Sequence, residues 1–302
     1  MEREENFMFG NLSCILIGLL QTGENVCGST TMRKGSHPLD YGFHSTLVAT
    51  VIMGIYVFIK NLFFGDIKEA AAATDFVRVL PIMVLGGVIS CIAVVANLSA
   101  MKLGHIGITN GIYQSSFALN FLLMVIFFHA GGNWISFLAV AIMLAGVLCM
   151  AIEKEERGGF NKKWLFFCSV AFVFNALGQF VTTIPSQYNF PDGMDIRGFS
   201  ILLAMTVCYG VAKKAMHIET NKAGLKVSCL GGLVFAGVQL GTYPVMDLLA
   251  KSNSVHLFTP IMLMTVTVLF SLYSRFFLKE KFRKLQYAGL ACCLTGILLF
   301  MI

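Results

Sequence analysis

Ten apolar stretches of about 20 residues follow one another along the chain, over roughly 8 to 31, 43 to 64, 77 to 101, 106 to 129, 134 to 152, 164 to 187, 198 to 217, 226 to 250, 255 to 277 and 284 to 302. Only short polar breaks separate them. Runs of this length suit helices crossing a hydrocarbon layer about 30 Å thick, whereas a membrane strand needs only about 10 residues and alternates apolar with polar positions. No such alternation is present, so the pattern predicts an all-α integral membrane protein with ten transmembrane helices. The most polar break in mid-chain, Glu153-Lys154-Glu155-Glu156-Arg157-Gly158-Gly159-Phe160-Asn161-Lys162-Lys163, divides the spans five and five. The expected organisation is a first five-helix unit over 1–152, a charged linker over 153–163 and a second unit over 164–302.

The two units also resemble each other. Gly86-Gly87-Val88 matches Gly231-Gly232-Leu233 at a shift of 145 residues, a register that sets Asn97 against Thr242, Lys102 against Asp247 and Gln114-Ser115 against Thr259-Pro260. Ala145-Gly146-Val147-Leu148 matches Thr295-Gly296-Ile297-Leu298 at a shift of 150, the extra residues falling in the loop from Leu278 to Phe282. Because five is odd, the second copy enters the bilayer upside down, which is the plan of two inverted repeats with a substrate site near the midplane between them.

Composition agrees with the pattern. Of 302 residues, 57% are apolar and 13% charged, against about 25% charged in soluble domains. That excludes nucleic-acid binding as a reading of the whole chain, and the net charge of +6 says little about partners, since Lys and Arg in a membrane protein act first as topology signals. Most of the 22 Lys and Arg fall in the loops after the odd-numbered spans, which places both termini outside the cytoplasm. The start, Met1-Glu2-Arg3-Glu4-Glu5, is acidic and no cleavage pattern follows the first apolar run, so the first span is expected to stay in the protein. The nine cysteines lie in apolar segments without ligand spacing, and the six histidines are scattered near span ends, so neither a metal nor another cofactor is expected. No P-loop, HExxH or nucleophile elbow occurs, which disfavours an ATP-driven pump or an enzyme.

The polar residues inside the spans carry the functional reading. Glu24 lies 13 residues past Asn11, roughly 20 Å into the first span. A carboxyl at that depth can exchange a proton and couple proton flow to solute flow, although it could also simply hydrogen-bond a neighbouring helix. Gln21, Glu24, Asn25 and Gly28 share one helix face. The sixth span offers Asn175, Gln179 and Thr182, with Gln179 about where the repeat places the partner of Glu24. The fourth adds Asn110, Tyr113, Gln114 and Phe117, and the eighth Gln239, Thr242, Tyr243 and Asp247, again at helical spacing. Together these could build a wet cavity, while each amide taken singly is more often glue between helices. Lys102 and Asp247 could form a gating ion pair, or each could snorkel to its own interface. Arg275 reads as an interface anchor. Pro81, Pro185, Pro244 and Pro260 could kink their spans.

The layout resembles the drug/metabolite transporter superfamily. The resemblance rests on two five-helix units, a charged link, and Lys279-Glu280-Lys281 before an apolar helix carrying Gly289 and Thr295-Gly296-Ile297-Leu298, which is similar to the EamA-type signature. The string Glu24-Asn25-Val26-Cys27-Gly28-Ser29-Thr30-Thr31-Met32-Arg33-Lys34 is similar to the first helix of small multidrug resistance proteins, a branch of the same superfamily. The resemblance implies a secondary carrier that moves a small metabolite or toxic compound by alternating access without ATP, with Glu24 as its proton and substrate site. A proton-coupled exporter in a bacterial inner membrane is the leading expectation, its partners a small-molecule substrate, membrane lipid and protons. A nucleotide-sugar or phosphate-ester exchanger is the runner-up and would need paired Lys or Arg in the cavity. A non-transporting membrane subunit or sensor is the alternative of another class.

Overall fold

The computed structural model describes residues 2–64, 74–104, 106–129, 133–151, 162–188, 194–252, 254–279 and 284–300. Among these the secondary structure is helical throughout: α1 Glu2–Arg33, α2 Pro38–Phe64, α3 Thr74–Leu103, α4 Ile106–Gln114, α5 Phe117–Phe128, α6 Trp134–Ala151, α7 Lys162–Gln187, α8 Met194–Ala215, α9 Lys222–Lys251, a 3-10 turn Val255–Leu257, α10 Phe258–Phe276 and α11 Lys284–Phe300. Seven stretches are long and apolar enough to cross a bilayer, α4 and α5 together forming one of them, and Trp134–Cys149 and Tyr287–Leu299 are shorter apolar helices. Large apolar side chains stand on the outer surface, among them Phe63 and Trp134, each 73% exposed. A surface of this kind belongs in lipid, and the chain is a multi-pass membrane protein.

Local chemistry sets the helix ends. Gly35, at φ 79°, lets the chain leave α1 in a left-handed turn, and Pro38 with its fixed φ opens α2. Asn221 caps α9 by accepting from the backbone N–H of Ala223 at 3.0 Å.

Two details correct the sequence reading. The fourth span is not one helix but two, broken at Ser115-Ser116 with no proline present. Ser115 Oγ donates to the Ile112 carbonyl at 2.6 Å, and Asn175 Nδ2 on α7 donates to Ser116 Oγ at 2.7 Å and the Tyr113 carbonyl at 3.3 Å. Side chains thus satisfy the backbone groups that a continuous helix would have paired. Lys162 and Lys163, expected in the linker, instead begin α7, because a charged first turn can stand clear of the hydrocarbon while its helix continues inward. The rest of that linker lies outside the described residues. The prolines at 81, 185 and 244 are all accommodated inside helices.

Packing follows small residues. The main helix neighbours are α3 with α7, α1 with α9, and α6 with α11, while α2 lies against both α8 and α9. Gly86 and Gly87 on α3 admit Thr182 of α7 and Ala204 of α8, and Gly231 and Gly232 on α9 admit Tyr41 and the Ser45 carbonyl of α2. With little hydrophobic drive between helices in lipid, such close approach supplies the contact energy. Helix α10 is buried almost all round, in keeping with its apolar circumference.

Candidate functional site

Eight helices, α1 to α4 and α7 to α10, enclose a cavity lined by side chains from both halves of the chain. Its space for the centres of water molecules is about 100 Å³, enough for several waters or one small organic molecule. Of the eleven candidate residues from the sequence, ten line it: Gln21, Glu24 and Asn25 from α1, Tyr113 and Gln114 from α4, Asn175 and Gln179 from α7, and Gln239, Thr242 and Tyr243 from α9. Asn110 does not. It is buried to 1% exposure on α4 without a hydrogen-bond partner, away from the cavity lining. Phe117 likewise belongs to the apolar core, because the break before it ends the helical register on which the two were grouped.

Among the described residues Glu24 is the one carboxyl in the lining. Tyr41 OH, on α2, donates to Glu24 Oε1 at 2.8 Å and also lies 3.1 Å from the Glu24 backbone carbonyl, while Gln21 Nε2 donates to Oε2 at 3.0 Å. Both carboxyl oxygens are therefore held, and the group faces water-sized space instead of being walled in by apolar side chains. Around it, Asn25 Nδ2, Asn97 Oδ1, Gln114 Oε1 and Gln239 Oε1 are buried without a protein partner. Each such group costs about 1 to 3 kcal/mol if left unpaired, so the cavity is suited to a guest or waters that complete these bonds. Asn175, by contrast, is committed to the helix break, and Thr242 bonds back to the Val238 carbonyl at 2.7 Å.

The structure adds residues that the sequence reading passed over. Tyr41, Tyr209, Thr46, Ser90 and Asn97 all line the cavity. Tyr41 escaped notice because α2 begins at Pro38, five residues earlier than expected, so that an apparent loop residue stands inside the bundle. Arg197, one residue before the expected start of the seventh span, is 0% exposed on α8. Its Nη2 pairs with Asp247 on α9, its Nη1 donates to Ser186 Oγ at 2.9 Å, and its guanidinium lies 5.2 Å from the Tyr243 ring centroid. The proposed Lys102–Asp247 pair is thereby overturned: the carboxylate has a nearer cation, and Lys102 is exposed at the end of α3.

Among the described residues no Lys, Arg or His lines the cavity. Arg275 sits elsewhere, its Nε donating to Tyr287 OH at 3.0 Å in an exposed position. All nine cysteines are free, and no cluster of three His, Cys, Asp or Glu residues that could hold a metal occurs among the described residues.

No family model matches the chain, and no curated protein matches it. Among solved structures, one described only as "Crystal structure of protein" superposes with a TM-score of 0.66 over 95% of this chain and 96% of its own, at 14% identity. At that identity the likeness is one of fold.

Proposed function

We propose that the chain is a secondary transporter of a small organic solute, working by alternating access and coupled to protons through Glu24. The observation that carries this reading is a cavity between helices of both halves, in which one hydrogen-bonded carboxyl stands among amides and tyrosines. An intramembrane acid beside a hydrated space is suited to proton exchange. On this reading the protein belongs to the drug/metabolite transporter superfamily, with ten spans in two inverted repeats.

The packing supports the repeat. Helix α1 lies along α9 as α7, its counterpart, lies along α3, and α6 pairs with its own counterpart α11. The glycine pairs at 86–87 and 231–232 make equivalent close approaches in the two halves. Short loops and the excess of Lys and Arg after odd-numbered spans fit a bacterial inner membrane with both termini outside the cytoplasm. The buried Arg197 is no exception to that charge tally, since it is not a loop residue.

The lining also bears on the solute. A phosphate ester would call for cationic groups facing it, and the nearest buried cation, Arg197, is committed to Asp247. Solutes that are neutral or carry an amine suit a cavity of one carboxyl, amides and hydroxyls.

Thermal unfolding of the purified protein with amino acids, organic cations, sugars and nucleotide sugars, at neutral and mildly acidic pH, tests the reading, with Glu24→Gln alongside. A ligand that binds only the folded state raises stability by RT ln(1 + [L]/Kd), so weak substrates register at millimolar concentration. Stabilisation by amines or neutral metabolites that depends on pH, and loses that dependence in Glu24→Gln, is the expected result. Stabilisation by nucleotide sugars alone, unchanged in the variant, would overturn both the substrate class and the role of Glu24.

A further inference from the structure

Along α8, Arg197, Ile201, Met205, Tyr209 and Lys213 follow at intervals of four residues, a row that winds by about 160° around the helix between its two cations. The three middle residues line the cavity, and the two cations stand at opposite ends of the helix, roughly 24 Å apart at 1.5 Å per residue. Each cation is tied to a different set of neighbours. At one end, Arg197 binds Asp247 of α9 and Ser186 of α7. At the other, Lys213 Nζ donates to Asp40 Oδ1 of α2 at 2.6 Å and to Thr220 Oγ1 at 2.8 Å, while the backbone N–H of Asn221 donates to Asp40 Oδ2 at 3.0 Å. Asn221 Nδ2 reaches the Lys34 carbonyl at 3.1 Å, which ties in the turn after α1.

We propose that α8 carries two ion-pair latches, Arg197–Asp247 and Lys213–Asp40, that close the cavity toward opposite faces of the membrane and are released one at a time. This rests on the transporter reading above. With both latches made, as in this structure, α8 is held at both of its ends. Breaking the Arg197 latch frees one end of α8 from α7 and α9, and breaking the Lys213 latch frees the other end from α2. A rigid helix pivoting between two fixed contacts opens one side while the surviving pair holds the other, which is what alternating access requires.

A tyrosine links each latch to the cavity. Tyr243 lines it and lies against the Arg197 guanidinium, and Tyr41 lines it, holds Glu24 and follows Asp40 directly in the chain. Occupancy of the cavity, or protonation of Glu24, therefore acts on residues in contact with, or next to, the latch partners. A guest must interact differently with the two open states for this link to bias them.

The test reads access and needs no substrate. Thr46→Cys, in the cavity lining, is placed in proteoliposomes of the full chain and labelled with a membrane-impermeant cationic thiol reagent from each side, with labelling of the native cysteines subtracted. Two neutral pairs are compared with it, Arg197→Gln with Asp247→Asn, and Lys213→Gln with Asp40→Asn, so that no buried charge is left alone. Each pair should speed labelling on the order of tenfold from its own face and leave the other face unchanged. Equal gains from both faces, gains from the same face for both pairs, or no change in folded protein would overturn the proposal. If the Arg197 pair fails to fold, Lys213→Gln with Asp40→Asn decides on the same criterion. One-sided opening without transport of any tested solute would leave the latches standing and remove the transporter reading. Transport with unchanged sidedness would do the reverse.

Discussion

Tyr41 and Glu24, 17 residues apart in sequence and on different helices, meet at 2.8 Å across the cavity wall, the phenol donating to the carboxyl. The contact joins the first turn of α2 to the acid on α1 that faces the cavity. Tyr41→Phe removes this hydrogen bond and keeps the ring. A bond to a potentially charged group is worth about 1.5 to 3 kcal/mol, and with Gln21 still in place the fold should survive. The expected outcome is a folded protein whose ligand stabilisation has a different pH profile from the parent. An unaltered profile would separate Tyr41 from the proton site.

The break between α4 and α5 depends on Asn175. Its amide supplies the bonds that Ser116 Oγ and the Tyr113 carbonyl receive from α7. Asn175→Leu leaves both without that donor in an apolar setting, and the loss should be about 1 to 3 kcal/mol, read as a lower thermal midpoint in detergent. Asn175→Asp, which keeps the shape but places a carboxyl oxygen where the amide donated, should be no milder. Wild-type stability in both would mean the break stands without Asn175.

Helix spacing, the glycine matches and ten of the residues that line the cavity were legible in the sequence because each is a one-dimensional pattern: run length, motif recurrence, or polar residues at intervals of three and four. What escaped is set by contacts between distant segments. Gln114-Ser115-Ser116 contains neither Pro nor Gly, and its break is anchored by a residue 59 positions from Ser116. Arg197 follows Pro191-Asp192-Gly193 and so looked like a loop charge, yet only a bundle that brings Asp247 and Ser186 to it can bury it. Asn110 lies off the lining for the related reason that helical spacing gives a face but not what that face meets.

Glycine contacts separate two substitutions that look alike in sequence. A Cβ on Gly232 would lie 2.4 Å from the Ser45 carbonyl oxygen and 2.8 Å from Val48 Cβ, so α9 and α2 would have to move apart. On Gly23 it would meet Val234 Cγ1 at an ordinary 3.4 Å. Gly232→Ala should therefore destabilise by about 1 to 3 kcal/mol, whereas Gly23→Ala should be neutral or better through its gain in helix propensity. Thermal unfolding of the two purified variants checks the order, and equal midpoints would contradict the packing of α9 on α2.

His37 stands in the turn between α1 and α2, where its Nδ1 accepts from the backbone N–H of Leu39 at 3.2 Å, a bond that requires that nitrogen to be unprotonated. Burial, and then the neighbouring Lys102 ammonium, hold its pKa below the ordinary value of 6.5, with Asp40 pulling the other way. The unfolded chain therefore binds a proton at this site more readily than the folded one. It follows that the stabilising contribution is complete above the unfolded value and is lost as pH falls through the depressed folded value. His37→Asn removes the titration while keeping a polar side chain in the turn. The fall in thermal midpoint from neutral to mildly acidic pH should be smaller in the variant than in the parent, because other titrating groups are common to both. An identical pH dependence in the two proteins would show that the ring is not held neutral by the fold.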